Sequence, residues 1–230
     1  MAITLDAKTT SNSAAPADPY TFSHTVGTGA TVLVLLITWR GGATISGVTY
    51  NSVACTNVRT DTGSTSLGNS AIYYLLAPST GANTVSVDFS IAASLVSITA
   101  VSLFGTDTTT AVINAHNGAA NDTASPVSID VTSTVNLCWM MDAIGIRGNP
   151  STITQGAESG RTDWTPDWEY EPGGNAMAGG GTFYSDVSPA GAKTFSWTFT
   201  GTGGSVSGVA ISPPVPSTTR PYLKPMGIFN

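Results

Sequence analysis

Charged side chains are scarce in this chain, at 10% of 230 residues against roughly 25% in a typical soluble domain. Helix surfaces rely on Glu and Lys. Each occurs only three times here, as Lys8, Lys193 and Lys224 and as Glu158, Glu169 and Glu171. Gly and Pro, which interrupt helices, number 25 and 13. The composition therefore disfavours a mainly helical protein and predicts strands and turns.

Basic residues and long apolar runs are also few. Eight Lys and Arg face 14 Asp and Glu, so the net charge is −6 and the pI about 4.5, which disfavours nucleic acid and anionic membranes as partners. The longest apolar stretch, "TVLVLLITW", has nine residues, about half of a membrane-spanning helix. "MAITLDAKTT" lacks the features of a secretory signal, so we expect synthesis and folding in the cytoplasm.

Residues that commonly carry chemistry are rare too. Cys55 and Cys138 fall in strand-like segments, and we expect buried free thiols, with a bridge between them as the alternative. His24 shares a strand face with apolar residues, which predicts a packing role, and His116 in "NAHNG" resembles a turn residue. No nucleophile elbow, zinc motif, C-x-x-C pair or phosphate loop occurs. We expect a protein that is not an enzyme and needs no cofactor.

Short apolar or alternating runs bounded by turn residues cover most of the chain, as in sheet proteins. The clearest span 20–26, 31–39, 45–50, 53–58, 69–77, 83–90, 95–104, 126–131, 135–146, 193–201 and 205–212. "VTY-NS-VAC" predicts a tight hairpin with Asn51 in a left-handed conformation. "TFSWTFTG" alternates as a half-buried strand, whereas "TVLVLLITW" should be covered on both faces. We predict an all-β domain over residues 1–212, a two-sheet antiparallel β-sandwich of jelly-roll-like type.

The stretch from Asn149 to Asp186 has little periodicity and predicts a long loop, with one strand near "GTFYSDV". Within it, "DWTPDWEYE" interleaves acidic and aromatic residues. Carboxylates of Asp163, Asp167 and Glu169 are weak candidates for Ca²⁺ ligands. A platform for a glycan or a subunit interface is the second interpretation, formed by Trp164, Trp168 and Tyr170. In the third, the Trp side chains cap the sandwich edge and the acids are solvated.

Residues 213–230, "PPVPSTTRPYLKPMGIFN", contain five Pro and predict an extended arm, which we call the C-terminal arm. Fully extended, it would reach roughly 55 Å. Residues 1–212 carry 6 basic and 14 acidic residues (net −8), and the arm carries 2 basic and none acidic (net +2). We expect the arm to contact a neighbouring subunit, with a solvated terminus as the alternative. Its contact residues are Arg220, Tyr222, Leu223, Lys224, Met226, Ile228 and Phe229.

Four segments carry a resemblance to a known module: "SHTVGTGATVLVLLITWRGGATISGVTYNSVACTNV", "AIYYLLAPSTGANTVSVDFS", "VSLFGTDTTTAVI" and "AGAKTFSWTFTGTGGSVSGVAISPP". From about Phe22 to Pro213 the pattern resembles a jelly-roll-like β-sandwich module of phage virion proteins and bacterial surface proteins. The resemblance implies a structural or binding role. Without an export signal, we expect a virion protein, most simply a capsid decoration (cement) protein whose partners are itself or a major capsid protein. A glycan-binding module or adhesin domain is the alternative.

Overall fold

The computed structural model describes residues 2–63, 67–147, 152–156, 168–170 and 177–214. These residues form antiparallel strands throughout, with one 3₁₀ turn at Thr110–Val112, and the all-β prediction is confirmed. The strands before that turn are β1 (Thr4–Ser13), β2 (Tyr20–Val26), β3 (Val32–Arg40), β4 (Ile45–Tyr50), β5 (Val53–Ala54), β6 (Thr56–Asp61), β7 (Gly68–Leu76), β8 (Gly81–Phe89) and β9 (Leu95–Phe104). Those after it are β10 (Ile113–Asp122), β11 (Val127–Thr132), β12 (Cys138–Arg147), β13 (Thr152–Gln155), β14 (Trp168–Tyr170), β15 (Met177–Gly181), β16 (Phe183–Val187), β17 (Ala192–Thr200) and β18 (Gly203–Ile211).

The described strands form four sheets rather than the two expected from the sequence. The first outer sheet has the order β2-β8-β4-β5, and the first inner sheet β1-β9-β3-β7-β6. The second inner sheet has the order β10-β18-β12-β15-β14, with β16 also paired to β12, and the second outer sheet is β11-β17-β13. Each outer sheet packs on its own inner sheet, so the chain makes two sandwiches.

Three hydrophobic cores join the sheets into a four-layer stack. The first lies within the first sandwich and includes Trp39 and Tyr50, and the third lies within the second sandwich and includes Phe195 and Trp197. The middle core joins the two inner sheets. A sheet in an inner layer is buried on both faces, which is why β3 and β12 are continuously apolar rather than alternating.

The two sandwiches are an internal repeat. Strands β1, β9, β3, β7 and β6 correspond in order to β10, β18, β12, β15 and β14, and β2, β8 and β4 correspond to β11, β17 and β13. Each first strand also has an irregularity at the same place, between Leu5 and Ala7 in β1 and, 108 residues later, between Ile113 and Ala115 in β10. "GANTVSVDF" in β8 and "GAKTFSWTF" around β17 share five of nine residues.

Several local predictions are confirmed. β4 and β5 form the expected hairpin, with Asn51 and Ser52 both at positive φ (49° and 64°). In β17 the aromatic side chains are buried and the intervening Ser and Thr point outward. The strand predicted near "GTFYSDV" is β16.

Other expectations need correction. The stretch from Asn149 to Asp186, expected to be a loop with one strand, also contains β13, β14 and β15. These strands have only three to five residues, too few for a clear alternation, and β15 is mostly Gly. β1 and β10 were not expected to be strands, since they are polar edge strands with weak apolar periodicity. His116 lies in β10 and is exposed, so it is a strand residue and not a turn residue.

Glycines bring the two inner sheets into backbone contact. A Cβ on Gly68 of β7 would lie 2.3 Å from the carbonyl carbon and oxygen of Gly145 in β12. A Cβ on Gly145 would in turn lie 2.5 Å from the Asn69 carbonyl oxygen of β7. Any larger residue at these positions would force the sandwiches apart, so the glycines determine how closely they pack.

Candidate functional site

The C-terminal arm leaves the stack from a fixed point. It follows β18, which pairs with β10 on one side and with β12 on the other. Just past the strand, the Ser212 N–H donates to the Val112 carbonyl (2.8 Å), and the Ser212 carbonyl accepts from the Asp107 N–H (2.9 Å). Asp107 is held in turn, since its Oδ1 accepts from the Thr109 N–H at 2.7 Å. A load on the arm would therefore pass directly into a central strand.

Most residues predicted to form the functional site lie outside the described residues. These are the seven arm residues Arg220, Tyr222, Leu223, Lys224, Met226, Ile228 and Phe229, together with Trp164, Asp163 and Asp167. Trp168, Glu169 and Tyr170 form β14, whose backbone pairs with Gly181, Gly180 and Gly179 at the edge of the second inner sheet. The Ca²⁺ site, the glycan platform and the arm contacts stay predictions.

A polar seam connects the two sandwiches. It is formed by the buried Asp61, Ser70 and Ser207 and the half-buried Arg59 and Gly118. Arg59 donates two hydrogen bonds to the Asp61 carboxylate, from Nε to Oδ2 (2.6 Å) and from Nη2 to Oδ1 (2.7 Å). Across the interface, the Ser207 hydroxyl donates to Asp61 Oδ2 (2.6 Å), and Ser70 Oγ lies 2.8 Å from Ser207 Oγ. Arg59 Nη2 also donates to the Gly118 carbonyl of β10 (3.2 Å). The seam fixes the register of one repeat against the other.

His24, Ser102 and Asp6 are the residue types of a hydrolase triad, but they connect in a different order. In a triad the histidine lies between the serine and the carboxylate. Here Ser102 lies between the other two, donating to Asp6 Oδ2 (2.6 Å) and lying 3.2 Å from His24 Nε2. The single hydroxyl proton of Ser102 is donated to Asp6, so in the hydrogen bond with His24 the donor is Nε2–H. In the neutral imidazole Nδ1 is then the acceptor, and it accepts from Thr9 Oγ1 (2.9 Å).

This arrangement suits a structural role. Ser102 is fully buried and His24 is 1% exposed, so no substrate reaches the hydroxyl. Burial lowers the pKa of His24 from its ordinary 6.5, with the Asp6 carboxylate opposing that shift. The folded state therefore favours a neutral imidazole. The packing role predicted for His24 is confirmed, with hydrogen bonds that the sequence did not indicate.

Asp142 is a second buried polar centre, in the middle of β12. Its Oδ1 accepts from the N–H and the hydroxyl of Thr182, both at 2.6 Å, and its Oδ2 accepts from Trp197 Nε1 at 2.5 Å. Thr182 separates β15 from β16, so the carboxylate occupies the break between those strands. This site joins the second inner sheet to the second outer sheet.

Both cysteines are free thiols, as predicted. Cys138 is buried and Cys55 is half-buried. Burial raises the pKa of Cys55 to about 12 and that of Cys138 to about 11. At neutral pH both are protonated, and a protonated thiol is a poor nucleophile.

The comparisons with known proteins identify no family. No protein-family model matches the chain, and no curated protein matches it. Within the described ranges, no helix is long and apolar enough to cross a membrane, and no three His, Cys, Asp or Glu residues cluster as a metal site would require.

The sequence did not single out the seam or Asp142. A signal for both was present, because charges are rare in this chain and Arg59, Asp61 and Asp142 lie inside strand-like segments. In such a segment a charge usually has a partner when it is buried. The partner of Asp61 depends on the contact between the two repeats, which the local sequence pattern does not indicate.

Proposed function

We propose that this protein is a structural component of a bacteriophage virion, a capsid decoration (cement) protein. It would be made in the host cytoplasm and would clamp neighbouring subunits through its C-terminal arm and loops. Its partners would be further copies of itself, a major capsid protein, or both. The proposal rests on the module resemblance together with the way the arm is attached.

The attachment of the arm is the observation that carries this proposal. β18 pairs with nine consecutive residues of β12, from Trp139 opposite Ile211 to Arg147 opposite Gly203, and also with β10. A pull on residue 213 acts along this strand, so the hydrogen bonds on both sides share the load. A clamp needs such an anchorage, and a solvated tail does not.

The stack has the features of a rigid spacer. Three cores and the seam tie its layers together. Its outer faces are polar, as Thr21, Ser23 and Thr25 on β2 and Thr198 on β17 show by their exposure. The loops and the C-terminal arm would then make the contacts with neighbouring subunits. Each arm that docks would add to the avidity of the assembly.

Deleting residues 213–230 tests the proposal. Ser212 and its two anchoring hydrogen bonds remain, so we expect an unchanged far-ultraviolet circular dichroism spectrum. The shortened chain should no longer co-sediment with phage particles that lack the protein, whereas the full chain should. Equal binding of both chains to those particles would refute the clamp.

A glycan-binding module is the second candidate. It is favoured by the position of Trp168 and Tyr170 two residues apart on β14, at the edge of the second inner sheet, because aromatic residues are the side chains on which sugar rings stack. Binding on a glycan array that is lost in Trp168→Ala, with the arm deletion neutral, would favour this function over the first.

A further inference from the structure

The loop between β11 and β12, residues 133–137, holds two apolar side chains in water. Val135 is 39% exposed and Leu137 is 43% exposed. They are two of five large apolar residues that are exposed in the described part of the chain, and no other two lie in one loop. We call Val135 and Leu137 the apolar pair.

Leu137 adopts a left-handed conformation, with φ 63°. This conformation costs free energy for a bulky residue and persists only where the surroundings impose it. Here they do: the Leu137 N–H donates to the Val187 carbonyl (2.8 Å), and Asn136 Oδ1 accepts from the Ala190 N–H (2.6 Å). The loop is therefore held in a shape that keeps the Leu137 side chain outside.

The first sandwich shows that the fold does not need a leucine there. Its corresponding connection, between β2 and β3, places Gly29 at positive φ (92°), which glycine adopts without strain. The other residues of that connection are Gly27, Thr28, Ala30 and Thr31, none of them a large apolar residue. The repeat thus offers an unstrained solution to the same turn, and the second sandwich replaces it with an exposed apolar pair.

The apolar pair lies beside the exit of the C-terminal arm. Trp139 pairs with Ile211, so Leu137, two residues earlier, is at the same end of the sheet as Ser212. Eleven residues, 215–225, separate the described chain from Met226, about 34 Å at the polyproline rise of about 3.1 Å per residue. The composition, with Pro216, Pro221 and Pro225, favours an extended conformation for that segment. If extended, an arm of this length is long enough to reach a second copy of the chain.

We propose that Val135 and Leu137 are the docking site for Met226, Ile228 and Phe229 of a second copy of this chain. The complementary charges of body (net −8) and arm (net +2) favour the encounter. The inference rests on the proposed function, because it requires the arm to be a clamp. It goes further in naming the receiving surface.

A peptide of residues 213–230, labelled at its N-terminus, tests the site by fluorescence anisotropy with the full chain. Burying a leucine side chain changes affinity by about tenfold or more, so Leu137→Gly should raise the Kd at least tenfold. Glycine also relieves the left-handed strain, so the variant should unfold at the same or a higher temperature. Ile91→Ser is the control, since Ile91 is 60% exposed in the connection between β8 and β9, and it should leave the Kd unchanged.

Sedimentation velocity identifies the copy that binds. Concentration-dependent association of the full chain should be lost in Leu137→Gly and reversed by excess peptide. A chain that stays monomeric at every concentration while binding the peptide would overturn docking between copies, as would absence of peptide binding. If Leu137→Gly and Val135→Ser both bind the peptide normally while the arm deletion still abolishes particle binding, the docking site is wrong and the clamp stands.

Discussion

Gly68→Ala tests the close packing of the two inner sheets. The added Cβ would lie 2.3 Å from both the carbonyl carbon and the carbonyl oxygen of Gly145 and 2.6 Å from the Ile146 nitrogen. Ordinary contact begins at 3.4 Å, so the backbones must separate by about 1.1 Å, the difference between 3.4 and 2.3 Å. All three atoms belong to the backbone of a central strand, so no side chain can rotate to make room.

The expected cost follows from that separation. A gap of about 1 Å forfeits up to about half of the dispersion energy of each contact it opens. The middle core lies along this interface, with Leu36, Ile72 and Met141 fully buried in it. We expect Gly68→Ala to lower the free energy of unfolding by about 3 kcal/mol, the upper end of the usual overpacking cost.

Urea unfolding followed by tryptophan fluorescence measures this change. Gly191→Ala is the matched control, because a Cβ there would meet nothing within 4 Å, and it should change stability by less than about 0.5 kcal/mol. If Gly68→Ala is as stable as the control, the inner sheets do not pack in the way that we describe.

Three further predictions concern buried polar groups. His24 is held neutral, so its contribution to stability is complete above pH 6.5 and is lost as the pH falls. Urea unfolding between about pH 7.5 and pH 5.5 should therefore show a greater loss of stability in the wild type than in His24→Gln, and equal losses would contradict this. Asp142→Asn should destabilise by about 2 kcal/mol in the same assay, against less than about 0.5 kcal/mol for Asp130→Asn on the exposed face, and similar losses would count against the Asp142 network. Cys55 and Cys138 should resist a thiol reagent at about pH 8 until urea unfolds the chain, since their pKa values are raised to about 12 and about 11. Rapid labelling of the native protein would contradict their burial.

The strands with strong apolar patterns could be located from the sequence. β2, β4 and β9 begin and end where their alternation does, and β3 is covered on both faces as its nine-residue apolar run indicates. In these segments the local pattern and the tertiary environment agree. The hairpin at Asn51 follows from turn chemistry alone.

The number of sheets could not be read from such patterns. The continuous apolar runs of β3 and β12 indicate a layer on each side of their sheets, but they do not indicate how many sheets there are or which strands pair. The repeat would have revealed the second sandwich, and its clearest trace is the likeness of "GANTVSVDF" to "GAKTFSWTF". β10 and β15 have no such signal, since Gly and Ala occupy many of their positions.

The candidate docking site also depends on structure that the sequence does not reveal. Val135 and Leu137 belong to "VNLCWMMDAIGI", which predicts one continuous strand from residue 135. The strand begins at Cys138 instead, because Leu137 turns left-handed and leaves the ladder. The turn of the other repeat places a glycine, Gly29, at positive φ, and this comparison shows that a leucine at positive φ is unusual for the turn.

Photocrosslinking from position 229 tests the central claim most directly. Phe229→p-benzoylphenylalanine would be introduced in the full chain, and ¹⁴N-labelled and ¹⁵N-labelled copies would be mixed before irradiation. The account predicts crosslinked peptides that combine both isotopes and map to residues 133–138 of the other copy. Crosslinks confined to one isotope, or none at all, would show that the end of the arm is not received by another copy of this chain.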